Sequence, residues 1–188
     1  MDGARLVQIV RSTISGNANT QGDFAAALWA SEAAVVMRAS TVSGNEGNGV
    51  LFVVGAGPDE ARLDVEGSTI AGNTGAGLSC LYGACGPVAT TILDGNGQDC
   101  AGTVRSGGFN LVASPVGCTL LPGRNADLVG FDARLAPLGD NGGFTRTHAL
   151  LPGSPATAAI TDGNWCTRAD QRGVRRRRPC DVGAYEAP

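Results

Sequence analysis

Histidine is the side chain best suited to proton transfer near neutral pH, and the chain has a single one, His148. A nucleophilic triad would need a serine or cysteine and an acid placed around this ring. The Gly-x-Ser-x-Gly turn that presents such a serine is absent from the sequence. We therefore expect His148 to be a structural residue that hydrogen-bonds a turn, and we predict no catalytic residue.

Acidic and basic side chains occupy matching positions in two segments that lie one repeat apart. Asp64 and Glu66 align with Val36 and Arg38. Paired carboxylates can hydrolyse glycosidic bonds, and an arginine beside carboxylates is a combination that polysaccharide lyases use. Arg38 against Glu66 can equally form a surface ion pair, worth under about 1 kcal/mol. Arg38, Asp64 and Glu66 are therefore candidate surface-binding residues.

A run of four arginines near the end of the chain is the strongest local charge feature. Arginine side chains bind carboxylates and phosphates through paired donors, so the run is a candidate site for an anionic glycan or phosphate. The alternative is a solvated loop whose charges repel one another. The residues concerned are Arg175, Arg176, Arg177 and Arg178.

Oxygen-bearing side chains in glycine-rich loops make Ca²⁺ a candidate ligand, because this cation prefers oxygen donors. The residues are Asp127, Asp132, Asp140 and Asn141. Their spacing fits neither an EF-hand nor a calcium-binding nonapeptide array, and turn capping explains them equally well. We therefore predict no cofactor, with Ca²⁺ as the alternative.

Composition restricts the fold that must position these residues. Of 188 residues 29 are Gly, whereas 5% are aromatic and 16% are charged. Glycine disfavours a helical bundle, and the low charge disfavours disorder. The sequence has no apolar run long enough for a transmembrane helix. A net charge of −3 gives no reason to expect nucleic-acid binding, so a turn-rich β protein remains.

Internal repeats indicate which β protein this is. Four segments ending in Gly-Asn are alike, and the first two intervals between their asparagines are equal, whereas the third is shorter; these residues are Asn17, Asn45, Asn73 and Asn96. A period in the twenties is too short for helix-pair repeats. Asparagines stacked in one column can exchange amide hydrogen bonds as a ladder.

Apolar residues before each Gly-Asn turn align when the chain is shifted by one such period. One column contains Val7, Val35 and Leu63, and another contains Ile14, Val42 and Ile70. The intervening residues are mostly polar, which is the period-two pattern of a strand with one buried face. Stacked parallel coils place like residues in such columns. The repeat therefore predicts an all-β parallel β-helix, a solenoid, in which both columns are buried.

Six cysteines without a C-x-x-C pair favour disulfides over a zinc ribbon. They allow fifteen pairings. Because a solenoid residue meets only its own and adjacent coils, we expect Cys80–Cys85, Cys100–Cys118 and Cys166–Cys180. Cys80, which the pattern places inward, can alternatively be a buried free thiol. Disulfides indicate export, yet no leader follows Met1, so we expect a piece of a longer exported protein or a start lying upstream.

Three longer segments extend the pattern beyond the repeats: 99–112 followed by Cys118, 138–156, and 170–174 followed by 180–186. They resemble the C-terminal part of choice-of-anchor Q domain proteins. The Gly-Asn repeats are similar to right-handed parallel β-helix proteins that bacteria export, including polymorphic outer-membrane protein repeats. The resemblance implies a right-handed β-helix that is secreted or exposed on a bacterial surface, with no defined reaction. The four arginines depart from the family, which more often has a short proline-containing turn there.

These observations together predict a single right-handed parallel β-helix. Residues 1–160 would form its coils, and residues 161–188 would be a disulfide-tied tail packed on the last coil. We expect a structural or adhesive module that binds glycans or cell-surface partners. The alternative is a carbohydrate-active enzyme, a polysaccharide lyase or glycoside hydrolase of the pectate-lyase-like type. Because terminal coils leave strand edges unpaired, the N-terminal edge is expected to be covered by a partner or to self-associate.

Overall fold

The computed structural model describes residues 6–18, 25–54, 61–123 and 127–188, and these contain strands and turns but no helix. Met1, after which the sequence predicts no leader, lies outside the described residues. The described strands are β1 Leu6–Val10, β2 Thr13–Ser15, β3 Ala26–Ser31, β4 Ala34–Arg38, β5 Thr41–Ser43, β6 Asn48–Val53, β7 Arg62–Glu66, β8 Thr69–Ala71, β9 Ala76–Ala89, β10 Ile92–Asp94, β11 Gln98–Gly108, β12 Leu111–Val112, β13 Cys118–Leu121 and β14 Leu128–Val129.

The strands form two stacked parallel sheets. Sheet 1 contains β1, β4, β7, β9, β11 and β13 in that order, with β3 and β6 joined to it through β9. Sheet 2 contains β2, β5, β8, β10, β12 and β14. Strand β9 links two rows of sheet 1, because its first half pairs with β6 and its second half pairs with β7.

The sequence period sets the register, and the period shortens along the chain. In sheet 2, Thr13 lies opposite Thr41 and Thr41 opposite Thr69, so the first two steps have the same length. Thr69 then lies opposite Ile92, and Ile92 lies opposite Leu111. Hydrogen-bonded residues of adjacent repeats are accordingly separated by 28, then 23, then 19 residues. The predicted strands and register are therefore present, with a shorter connection at each later step.

Side-chain ladders hold the strands in this register. Each repeat asparagine donates its Nδ2 to Oδ1 of the next one, at 2.9 Å from Asn17 to Asn45 and at 2.8 Å in the two following steps. Asn96 then donates to Asp99 Oδ1 at 3.1 Å. A carboxylate accepts hydrogen bonds but cannot donate one, so Asp99 ends the ladder.

The main core lies between the two sheets and contains most of the predicted columns. Val35, Leu63, Val42 and Ile70 are each 1% exposed or less. The first repeat differs, because Val7 is 42% exposed and Ile14 is only half-buried. The prediction that Val7 is buried is therefore wrong. Strand β1 is the end strand of sheet 1, and no other strand in the described part of the chain packs against its free edge.

The segment 130–188 contains no extended strand within its length, only isolated antiparallel bridges. It covers the outer face of sheet 2 and forms a second apolar cluster there, which includes Ile92, Leu111, Ile160 and Val182. Their strand neighbours Leu93 and Val112 face the main core instead. Sheet 2 is therefore buried on both faces, as is usual for parallel sheets.

Contacts of this segment extend along sheet 2 from its first strand. Thr13 Oγ1 donates to Arg146 O at 2.6 Å, and Thr41 Oγ1 donates to Gln171 Oε1 at 2.7 Å. Ala184 N donates to Thr69 Oγ1 at 3.0 Å. The segment 161–188, expected on the last coil, hydrogen-bonds β2 and β5 through Gln171 and β8 through Ala184. The last described parallel strand ends at Val129.

Three disulfides are present, and they join the pairs expected from locality: Cys80 with Cys85, Cys100 with Cys118, and Cys166 with Cys180. All six cysteines are thus paired, including Cys80. Disulfides of this number suggest an oxidising, extracellular environment. Within the described ranges no helix could cross a membrane.

Candidate functional site

The three candidate residues on the matching strands do come together on the outer face of sheet 1. Arg38 at the end of β4 lies opposite Glu66 at the end of β7, and Arg38 Nε is 3.1 Å from Glu66 Oε2. Asp64 lies two residues before Glu66 and therefore points to the same face. A fourth residue, Arg62, forms an ion pair with Asp64, and its Nη2 lies 2.7 Å from Asp64 Oδ2.

A groove of about 230 Å³ opens beside these four side chains. On the neighbouring strands the groove is lined by residues with small side chains, which are Pro87 and Ala89 from β9 and Gly107 from β11. Long side chains on β7 followed by small ones on β9 and β11 leave this depression in the sheet surface. Its remaining wall is Trp165, which belongs to the segment that covers sheet 2.

Trp165 is fixed by its neighbours rather than by a strand. Its backbone N–H donates to Asp162 O at 3.0 Å, which closes a turn. The next residue, Cys166, is tied to Cys180. The indole meets the ring of Phe109 edge-on, with 6.3 Å between centroids. These restraints hold the half-buried indole against the groove before any ligand arrives.

Charge in the groove is balanced and layered. Each carboxylate has its own arginine, so the four groups sum to a formal charge of zero. The carboxylates lie deeper, with side-chain exposures of 18% for Asp64 and 33% for Glu66, against 64% for Arg62 and 56% for Arg38. The groove therefore presents acceptors at its base and guanidinium donors at its rim.

The arginine run is divided between two environments, and none of its members lines the groove. Arg175, Arg177 and Arg178 are exposed. Arg176 is buried, where Nη1 lies 3.0 Å from Glu186 Oε2 and Nη2 contacts Gly183 O. Arg176 therefore cannot serve in a surface site, because its guanidinium holds the end of the chain in place.

The single histidine belongs to the covering segment and faces sheet 2. His148 Nδ1 is 2.7 Å from Ala136 O, and a carbonyl can only accept, so this nitrogen carries the proton. His148 Nε2 then accepts from Ser43 Oγ at 2.8 Å. Burial lowers the pKa of His148, and Ser43 is itself buried. The pair joins the covering segment to sheet 2.

The residues considered for Ca²⁺ are engaged in hydrogen bonds, Asp132 and Asp140 within their own turns and Asp127 with the preceding repeat. Asp127 Oδ1 accepts from Asn110 N at 2.9 Å, Asp132 Oδ1 accepts from Arg134 N at 2.7 Å, and Asp140 Oδ1 accepts from Gly142 N at 3.0 Å. Asn141 Nδ2 donates to Thr147 O at 2.8 Å. Among the residues that the structure describes, no three metal-ligating side chains are placed to share an ion.

One carboxylate outside the groove has a strongly altered affinity for protons. Burial, followed by the charges of Asp132 and Asp99, raises the pKa of Asp94 to about 6. Asp94 stands at the end of β10, in the strand row that contains Ser43. It is therefore partly protonated in mildly acidic solution.

A second depression, of about 520 Å³, lies on the β6 side of sheet 1. It is lined by uncharged residues such as Ser79 and Gln98. Because it offers neither a charged group nor an aromatic wall, the Trp165 groove is the better candidate for specific recognition.

Sequence reasoning did not identify two groove residues, Arg62 and Trp165. The position of Arg62 could have been predicted, because residues two apart on a strand point to the same face and Arg62 lies two residues before Asp64. Trp165 carries no such signal, since it lies far along the chain from the strands it meets. Searches with this chain matched no family model, no curated protein and no solved structure.

Proposed function

We propose that the chain is a right-handed parallel β-helix module of an exported bacterial protein, and that it binds glycans on or near a cell surface. The parallel strands, their regular register and the asparagine ladder support this architecture. The three disulfides support export. The function is that of an adhesive or structural module rather than of an enzyme.

The observation that carries the binding function is the groove on sheet 1. It combines an aromatic ring with paired carboxylates and guanidiniums, which are the groups that hydrogen-bond hydroxyls and stack on a sugar ring. The groove is also firmly built, because its strands lie inside a parallel sheet and Trp165 follows a closed turn. Self-association through the free edge of β1, or its cover by a partner, stays a prediction.

A glycan array probed with the purified 188-residue chain tests this function. We expect binding to a subset of immobilised oligosaccharides, weakened by Asp64→Asn and by Glu66→Gln, which keep side-chain shape while removing charge. Arg178→Ala is the matched control, since Arg178 is exposed and does not line the groove. The absence of binding to any glycan on the array would refute the proposal.

A second candidate function is carbohydrate cleavage, and the same groove supports it. Asp64 and Glu66 lie beside Arg38 and Arg62, so carboxylates that can act as acid or base share one face with guanidiniums that can stabilise developing negative charge. Cleavage would release new reducing ends from a hydrolase, or unsaturated sugar ends from a lyase. Incubation with polysaccharides that the array identifies distinguishes a binder, which releases neither, from an enzyme, whose product formation would be lost in Glu66→Gln.

A further inference from the structure

We propose that the groove selects an uncharged sugar ring, stacked on Trp165, over a uronate or an amino sugar. This inference rests on the proposed glycan-binding function and names the ligand class of the same groove. Three features carry it: the balanced charges, the size of the groove, and the fixed position of the indole.

Charge balance is the first argument. Each carboxylate already has a guanidinium within 3.1 Å. The four charged groups therefore include no unpaired cation that would attract an anionic ligand. A uronate bound to the guanidiniums at the rim would face Asp64 or Glu66 as a like charge. A protonated amino sugar would face Arg38 and Arg62 in the same way. A neutral polyol avoids both costs while using the same groups as donors and acceptors.

The layering of those groups also suits hydroxyls. The carboxylates at the base of the groove accept from O–H groups, and planar guanidiniums at the rim donate in pairs. Neighbouring hydroxyls on a ring present donors and acceptors side by side. Such a ring can therefore hydrogen-bond both layers without disrupting Arg38–Glu66 or Arg62–Asp64.

Groove size limits the ligand to about one ring. A cavity of about 230 Å³ lies below the range of roughly 300–1,000 Å³ that encloses drug-sized ligands. One sugar residue of a longer glycan would enter, with the rest of the chain running across the sheet. Trp165 would contact the apolar C–H face of that residue, and its restraint by Phe109 and by Cys166 lowers the entropy lost on binding.

The test compares neutral oligosaccharides with uronate oligosaccharides of equal length, using the wild-type chain and tryptophan variants. Trp165→Ala is expected to weaken binding of the neutral ligands about tenfold or more, as truncation of a central aromatic anchor does. Trp165→Phe should retain most of the affinity. Trp29→Ala is the matched control, because Trp29 is 57% exposed on β3 and does not line the groove.

The outcomes separate this inference from the proposed function. Binding that prefers uronates, or that survives Trp165→Ala, would overturn the inference and leave glycan binding intact. Binding to no glycan at all would overturn the proposed function itself. Should Trp165→Ala not fold, Trp165→Leu keeps an apolar side chain against Phe109 without an aromatic face, and the same loss of neutral-ligand binding is expected from it.

Discussion

Removing one asparagine from the middle of the ladder should destabilise the protein far more than removing the first. Asn73 is 1% exposed. Its Oδ1 accepts from Asn45 N at 3.2 Å and from Asn45 Nδ2 at 2.8 Å, while its Nδ2 donates to Asn96 Oδ1 at 2.8 Å. Asn73→Ala therefore leaves two N–H groups of Asn45 unpaired inside the protein, its backbone N–H and one of the two on Nδ2, since the other donates to Ile14 O. At about 1–3 kcal/mol for each, the free energy of unfolding should fall by about 2–6 kcal/mol.

Asn17→Ala is the matched control, since it removes the same side chain from the same turn of the first repeat. Asn17 is exposed and receives no hydrogen bond from another described asparagine. Water can replace it, so the expected loss is below about 1 kcal/mol. Urea unfolding followed by far-ultraviolet circular dichroism measures both variants, with the slope of the transition unchanged if only stability is altered. Equal losses for Asn17→Ala and Asn73→Ala would refute the ladder argument.

Two further predictions concern buried charge. Because the pKa of Asp94 is raised to about 6 in the folded protein, its contribution to stability is complete below its ordinary value of 3.8 and is lost as the pH rises through about 6. Asp94→Asn should therefore raise the melting temperature at pH 7 and not at pH 3.5, and a gain of equal size at both pH values would contradict this. Arg176→Leu leaves Glu186, with a side-chain exposure of 3%, unpaired, and should cost about 3–5 kcal/mol. Arg178→Leu, on an exposed neighbour, should cost little in the same thermal unfolding assay, and a loss as small for Arg176→Leu would contradict the buried-pair argument.

The parts of the fold that repeat could be predicted from the sequence. Val35 and Leu63 recur in one column one period apart, and the structure pairs them at that spacing. The same local reasoning identified the three disulfides. Periodicity works here because each strand contacts a copy of itself one period later, so the contact is already visible as a sequence interval.

What the sequence did not show depends on contacts that occur once. Asp99 ends the asparagine ladder three residues after Asn96, where the pattern calls for no acid. The covering segment has no period of its own, and Gln171 reaches Thr41 across 130 residues. Trp165 lies beside Glu66 for the same reason. The charged side of the groove could therefore be predicted from the repeat, whereas its aromatic wall could not.

The groove arises where the repeat changes length. Between β4 and β7 the interval still has the full length of the first repeats, and charged side chains stand opposite each other as Arg38 and Glu66. Between β7 and β9 the interval is shorter, and Glu66 faces Ala89 instead. Pro87 and Ala89 are small, so the sheet surface is lower beside the ion pairs, and the segment that covers sheet 2 places Trp165 at that step. The depression therefore comes from the repeat region, whereas its aromatic wall comes from a segment outside the repeat.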